Sequence, residues 1–132
     1  MEAYRDDVDV DRVLDALRLM RRASLLIREL EAYFARHDLS QLRFLMMILI
    51  DREPERNCLA ASEIAERLDV SRPVVTRTLQ GLERAGLIAI SENSEDARSR
   101  NVTLTLSGKA KLDEVLPGYF AILHRPDPAA DK

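Results

Sequence analysis

The sequence predicts a mainly α-helical fold with one small β-hairpin, on three observations. Residues 62–86 read as two short amphipathic helices joined by a tight turn. Leu87–Ile90 and Asn101–Leu104 then alternate in the period of half-buried strands on either side of a polar stretch. Long apolar-striped segments lie before and after this unit, over residues 10–37 and 107–124. That succession predicts a winged helix-turn-helix flanked by N- and C-terminal helices, which are expected to be dimerisation helices.

Residues 1–9 form an acidic lead-in, and Asp9 or Asp11 can cap a long helix running to about Arg36. Val13, Leu17, Met20 and Ile27 make one stripe on it; Leu19, Ala23, Leu26, Leu30 and Tyr33 make another. An arc that wide exceeds what one neighbour needs, which predicts one stripe on its own domain and one on a second subunit. His37-Asp38-Leu39 breaks the helix, and Ser40 caps the next. Leu42–Ile50 is nearly all apolar, so periodicity does not choose between strand and helix. Its Leu and Met content, lack of valine and N-cap favour a central buried helix. After the turn-rich stretch Glu53–Asn57, Ala60 has no side-chain oxygen with which to cap the first helix of the pair. Ser62 is the available substitute, which would start that helix slightly late.

Ile64, Ala65 and Leu68 share one face of that helix, and Asp69-Val70 closes the turn. Ser71 stands where an N-cap belongs, with Arg72 and Pro73 in the first turn, where proline's missing N–H costs nothing. At roughly 100° per residue, Val75, Leu79 and Leu82 fall on one face of the second helix and Gly86 ends it. The opposite face carries Pro73, Arg77, Gln80 and Arg84, with Thr76 on its flank. Arg can donate twice to guanine, Gln can pair with adenine, and a Thr methyl can touch thymine. Residues near the start of a recognition helix usually reach bases and those near its end reach phosphate. Arg72, Thr76, Arg77 and Gln80 are therefore expected to read DNA, and Arg84 to serve a backbone or structural role.

Between the strands lies the polar tip Ser91–Arg100. Arg98 and Arg100, two residues apart, would point the same way on an extended segment, and a narrow minor groove attracts inserted arginine. Asp96 would repel phosphate, so an ion pair with Arg98 or a cap on the turn is its expected use. Beyond the hairpin, Thr105 can cap a last helix on which Leu112, Val115, Leu116, Tyr119, Phe120 and Leu123 follow helical spacing. Pro117 falls inside that run and is expected to kink or break it. The tail 125–132 is short, polar and expected to be disordered.

At 132 residues the chain can bury the core of one unit. The net charge of −3 argues mildly against DNA, but Glu2, Asp6, Asp7, Asp9, Asp11 and Asp15 crowd the first positions, away from the proposed reading surface. Without a secretory apolar region or a run of 18 apolar residues, the expected address is the cytoplasm. One cysteine excludes an intramolecular disulfide. An enzyme is excluded on inventory: His37 and His124 are the only histidines, and there is no glycine-rich phosphate loop, paired-cysteine metal site or nucleophile elbow. No cofactor is expected.

The run Ser71–Ile88, then Asp96-Ala97-Arg98, then Leu104-Thr105-Leu106-Ser107-Gly108, resembles the MarR (multiple antibiotic resistance regulator) family over about residues 10–120. The D-x-R wing followed by L-T-x-x-G is fairly specific among winged helices. The resemblance implies a homodimeric regulator, usually a repressor, that binds palindromic double-stranded DNA and is often released by phenolic ligands or by oxidation. It implies that Arg98 is the minor-groove arginine and Asp96 its partner, and that Cys58-Leu59-Ala60 pairs as a short strand with the wing. A longer terminal helical region usually completes the family's dimer, so dimerisation here would rest on the first helix and on Tyr119–Leu123. The chain then divides into lead-in (1–9), N-terminal dimerisation helix (10–37), DNA-binding domain (38–106), C-terminal helix (107–124) and tail.

Family members often bind aromatic acids between the first, second and last helices. Tyr33, Arg36, His37, Arg43 and Phe44 fall near that junction and could supply an aromatic wall and a cation for a phenolic or aromatic carboxylate ligand. Two alternatives stay open. One is thiol redox sensing through Cys58, although the family's peroxide-sensing cysteine sits in the first helix. The other is a winged helix used for protein contact without a specific DNA site.

Overall fold

The computed structural model describes residues 7–53, 59–92 and 100–126. Its elements run α1 (Val10–Ala35), α2 (Gln41–Asp51), β1 (Leu59–Ala60), α3 (Ala61–Leu68), α4 (Arg72–Arg84), β2 (Ile88–Glu92), β3 (Arg100–Leu104) and α5 (Leu106–His124). This is the expected winged helix-turn-helix between two longer helices.

Asp9, rather than Asp11, caps α1: its Oδ1 accepts from Asp11 N at 3.1 Å and Arg12 N at 3.3 Å. The helix ends as Asp38 turns left-handed (φ 59°), and Ser40 Oγ opens α2 by accepting from Arg43 N at 3.2 Å. Helix α2 is the central element. Phe44, Met46, Met47 and Ile50 are all buried, so its methionines are packing groups.

Around it the core gathers Leu30 and Phe34 of α1, Ile64 of α3, Val75, Leu79 and Leu82 of α4, and Leu112, Val115 and Ile122 of α5. The sheet adds Leu59, Ile88 and Val102. Its order is β1-β3-β2, with both pairings antiparallel; Leu59 faces Val102 and Ile90 faces the same residue from the other side. Leu59-Ala60 therefore pairs with the wing as the resemblance implied, while Cys58 lies outside the described residues.

Two expectations need correction, and of the kink or break expected at Pro117 the break is removed. Helix α3 does not start late at Ser62. It starts at Ala61, because Glu63 Oε1 accepts the Ala60 N–H at 3.2 Å and serves the end that Ala60 cannot cap. Helix α5 is not broken at Pro117 but continues to His124. The proline leaves one carbonyl unserved, that of exposed Asp113, which water can reach, while buried Leu112, Val115 and Ile122 hold both halves on the core. The inner stripe of α1 meets the core only over its last turns: Leu30 and Phe34 are buried, but Leu19 is 59% and Leu26 38% exposed. The helix outruns the body that its C-terminal end packs on. On its outer stripe, Val13, Leu17, Met20 and Ile27 are all exposed.

Polar contacts tie the elements where packing alone would leave them free to slide. Glu53, a buried acid, receives a hydrogen bond from Arg67 Nη1 at 3.0 Å, linking the end of α2 to α3. Lys109 Nζ reaches both carboxylate oxygens of Asp51, at 3.0 and 3.2 Å. The hydrogen bond and charge of Asp51, with Asp113 adding to them, hold the Lys109 amine above its ordinary range. Arg125 pairs with Glu29, fastening the end of α5 to α1. No helix among the described residues is long and apolar enough to cross a membrane.

Candidate nucleic-acid interface

The turn between α3 and α4 is set by two local devices. Asp69 takes the left-handed conformation (φ 53°), which lets Val70 N donate back to Ala65 O at 3.1 Å. Ser71 then extends, and its Oγ accepts from Val74 N at 3.4 Å. Helix α4 is thereby fixed in phase, with Val75, Leu79 and Leu82 buried.

That phase turns Ser71, Arg72, Pro73, Thr76, Arg77, Gln80 and Arg84 outward, and all seven are exposed. Among the described residues, Arg72, Arg77 and Arg84 take no carboxylate partner, so their donors are available to a ligand from solvent. Thr78 is not part of this face. It is half-buried and spends its hydroxyl on the Val74 carbonyl at 2.8 Å, within its own helix.

Of the wing, the stems are described. Arg100 begins β3 opposite Glu92. Asp96 and Arg98 lie outside the described residues.

The five residues expected near a ligand separate into two groups. Tyr33, Arg36, His37 and Phe44 collect where α1, α2 and α5 meet. Phe44 is fully buried, its ring centroid 4.7 Å from that of Phe34 and 4.6 Å from that of Tyr119. Tyr33 Oη donates to the Val115 carbonyl at 2.8 Å. His37 packs edge-on to the Tyr33 ring at 4.9 Å, with Nδ1 4.0 Å from Glu114, and the Arg36 guanidinium carbon lies 5.6 Å from the Tyr33 centroid. Arg43 instead crosses to α4. Its guanidinium lies over Gly81, where an added Cβ would stand 3.1 Å from Cζ and closer still to a terminal nitrogen. An open groove on the other side of the α1–α2 corner is lined by Glu31, Leu39, Ser40, Gln41, Leu42 and Leu45, none of the five. Among the described residues no group of His, Cys, Asp and Glu could hold a metal ion.

The contact between Arg43 and Gly81 escapes sequence reasoning, as does the close fit of the Tyr33 ring against Gly118. A glycine in mid-helix, at 81 and again at 118, is the one signal that could have pointed to a close approach.

A capped helix whose outward cations take no carboxylate partner among the described residues, beside an antiparallel hairpin, defines a winged helix-turn-helix. The comparisons agree. The MarR family model matches residues 37–99. The HTH-type transcriptional repressor YetL of Bacillus subtilis (strain 168) is 38% identical over 93 residues, covering 70% of this chain and 54% of its own. The HTH-type transcriptional regulator PecS of Dickeya dadantii (strain 3937) is 30% identical over 112 residues, 85% of this chain and 68% of its own. Among solved structures, the M. tuberculosis transcriptional regulator MOSR in complex with DNA superposes with a TM-score of 0.67 at 25% identity, over 82% of this chain and 76% of that one. This chain belongs to the MarR family, whose relatives named here are transcriptional regulators and not enzymes. It spans about half the length of the first curated relatives it matches.

Proposed function

We propose that this chain is a sequence-specific DNA-binding repressor that acts as a homodimer on palindromic operators. The observation that carries the proposal is the outward face of α4, with exposed Arg72, Thr76, Arg77, Gln80 and Arg84 on a helix whose opposite face is locked in the core. Arg72, Thr76, Arg77 and Gln80 read base edges; Arg84 meets the backbone; Ser71 and Pro73 set the helix start. Arg98 and Arg100 enter the minor groove from the wing, with Asp96 holding Arg98. That the similar MOSR is seen with DNA, and that YetL is a repressor, supports the same reading.

The second subunit covers the outer stripe of α1, where Leu17 and Met20 are 54% and 66% exposed. Fully burying such a side chain is worth about 1.5–3 kcal/mol, and these are already partly covered, so the whole stripe rather than a few residues has to be buried to offset the cost of association. A small aromatic carboxylate would act at the α1–α2–α5 junction, where Arg36 beside the Tyr33 ring supplies a cation next to an aromatic surface.

Selection of bound duplexes from a random DNA library tests the proposal. A recovered palindrome with half-sites about one helical turn apart is the expected result. A single half-site would overturn the symmetric dimer. No enrichment by folded protein would overturn the DNA function and leave the protein-contact reading.

A further inference from the structure

Three elements meet at the first turn of α5. Thr105 Oγ1 accepts from Gly108 N at 2.9 Å, which is an ordinary N-cap. The same hydroxyl donates to the Gly86 carbonyl at 2.6 Å, and Thr105 N donates to Leu87 O at 3.1 Å. Gly108 lies so close to this turn that a Cβ there would collide with the Leu87 carbonyl oxygen. One residue further, Lys109 holds Asp51 at the end of α2. Gly86 is the left-handed residue (φ +76°) that ends α4.

A cap needs only an acceptor, and Ser, Asp or Asn would serve. The donor side of Thr105 is additional to capping, and its single proton is committed to the turn that follows α4.

We propose that Thr105 is a positioning residue for α4: by donating to Gly86 it fixes the end of that helix on α5, so that α5 sets the pose of the reading face. The inference rests on the DNA-binding function proposed above and adds a route by which α5 controls it. The peptide at Gly86 cannot roll while its carbonyl is held and Leu87 N donates to Leu82 O at 3.0 Å. The outward residues of α4, with Ser71 at its cap, are then carried at one fixed angle relative to α5.

Three substitutions in the full chain test this. Thr105→Ser keeps acceptor and donor. Thr105→Asp keeps a cap acceptor but cannot donate to Gly86. Ser107→Asp puts the same charge in the same turn and leaves Thr105 intact. Affinity is measured for the most enriched duplex from the wild-type selection, and amide hydrogen exchange is followed at Gly86 and Leu87 in the free protein. The Ser variant should bind within about threefold of wild type, since the two hydroxyls cap similarly. The Asp variant loses the donor to the solvent-exposed Gly86 carbonyl; it should bind about five- to tenfold more weakly and exchange faster at both amides while melting close to the Ser variant. Ser107→Asp should follow wild type. Equal behaviour of the two Thr105 variants, or an equal loss in Ser107→Asp, overturns the proposal. If wild type enriches no duplex, the DNA reading fails by itself. The exchange rates then decide the joint alone, and equal rates in the two Thr105 variants remove it.

Discussion

The ring of Tyr33 occupies the volume in which a side chain at position 118 would lie. A Cβ built on Gly118 would stand 2.7 Å from Tyr33 Cε1 and closer still to Oη, while that hydroxyl donates to Val115 O at 2.8 Å. This fit brings α1 onto α5 just beyond Pro117 and leaves room for nothing larger than hydrogen.

Gly118→Ala should therefore destabilise the chain by about 1–3 kcal/mol through overpacking. Alanine is intrinsically the better helix former by about 1 kcal/mol, so the same change in a Tyr33→Ala background should stabilise. Urea midpoints of the four proteins in this cycle give the coupling directly. Additive effects would mean the ring moves aside freely.

Leu17→Asp, on the outer face of α1, should shift the assembly toward monomer without disturbing the fold, because Leu17 is exposed and outside the core. Sedimentation across micromolar concentrations, with circular dichroism as a control, reads both. A dimer of undiminished strength would place the interface elsewhere.

Arg77→Ala and Gln80→Ala should relax base preference at one position per half-site, by about 1–3 kcal/mol for a bidentate contact. Arg98→Ala should instead weaken binding across all sequences and lower its salt dependence. Repeating the library selection with each variant separates the two outcomes. Uniform loss in the first pair would remove their base-reading role.

The Lys109–Asp51 pair predicts a sign at alkaline pH. The Asp51 hydrogen bond holds the folded Lys109 pKa above that of an ordinary lysine, so the stability it contributes is fully present below the unfolded pKa and is lost as pH rises through the folded one. Urea midpoints should fall above about pH 10 more steeply in wild type than in Asp51→Asn. Parallel curves would show the pair contributes nothing measurable.

What the sequence made legible was local. Ser40, Ser71 and Thr105 each cap the helix they precede, and the Val75–Leu79–Leu82 face is buried as its spacing predicts. A cap and a helical face are decided within four residues, so periodicity and side-chain chemistry expose them. The outward set on α4 follows from the same phase. The misses lie where a distant element decides. Pro117 reads as a breaker until buried Leu112, Val115 and Ile122 are seen to hold the helix on either side. Arg43 reads as a candidate cation for a ligand carboxylate, and nothing near it in sequence shows that its guanidinium lies over Gly81 of another helix. Ala60 lacks a capping oxygen, and Glu63 answers from inside the helix.

Because β3 is the middle strand, and β1 precedes α3, the whole helix-turn-helix lies within the loop that Leu59 and Val102 close. The β2–β3 pairing closes a short stretch of chain, but β1 gains its partner only after that longer closure, at a greater cost in chain entropy. The reading head is thus a single cooperative folding unit, buckled at its base by two residues of strand. Once buckled, a cut anywhere between the two strands would leave both pieces pinned to the same sheet, so the grip on the helices outlasts the continuity of the chain between them.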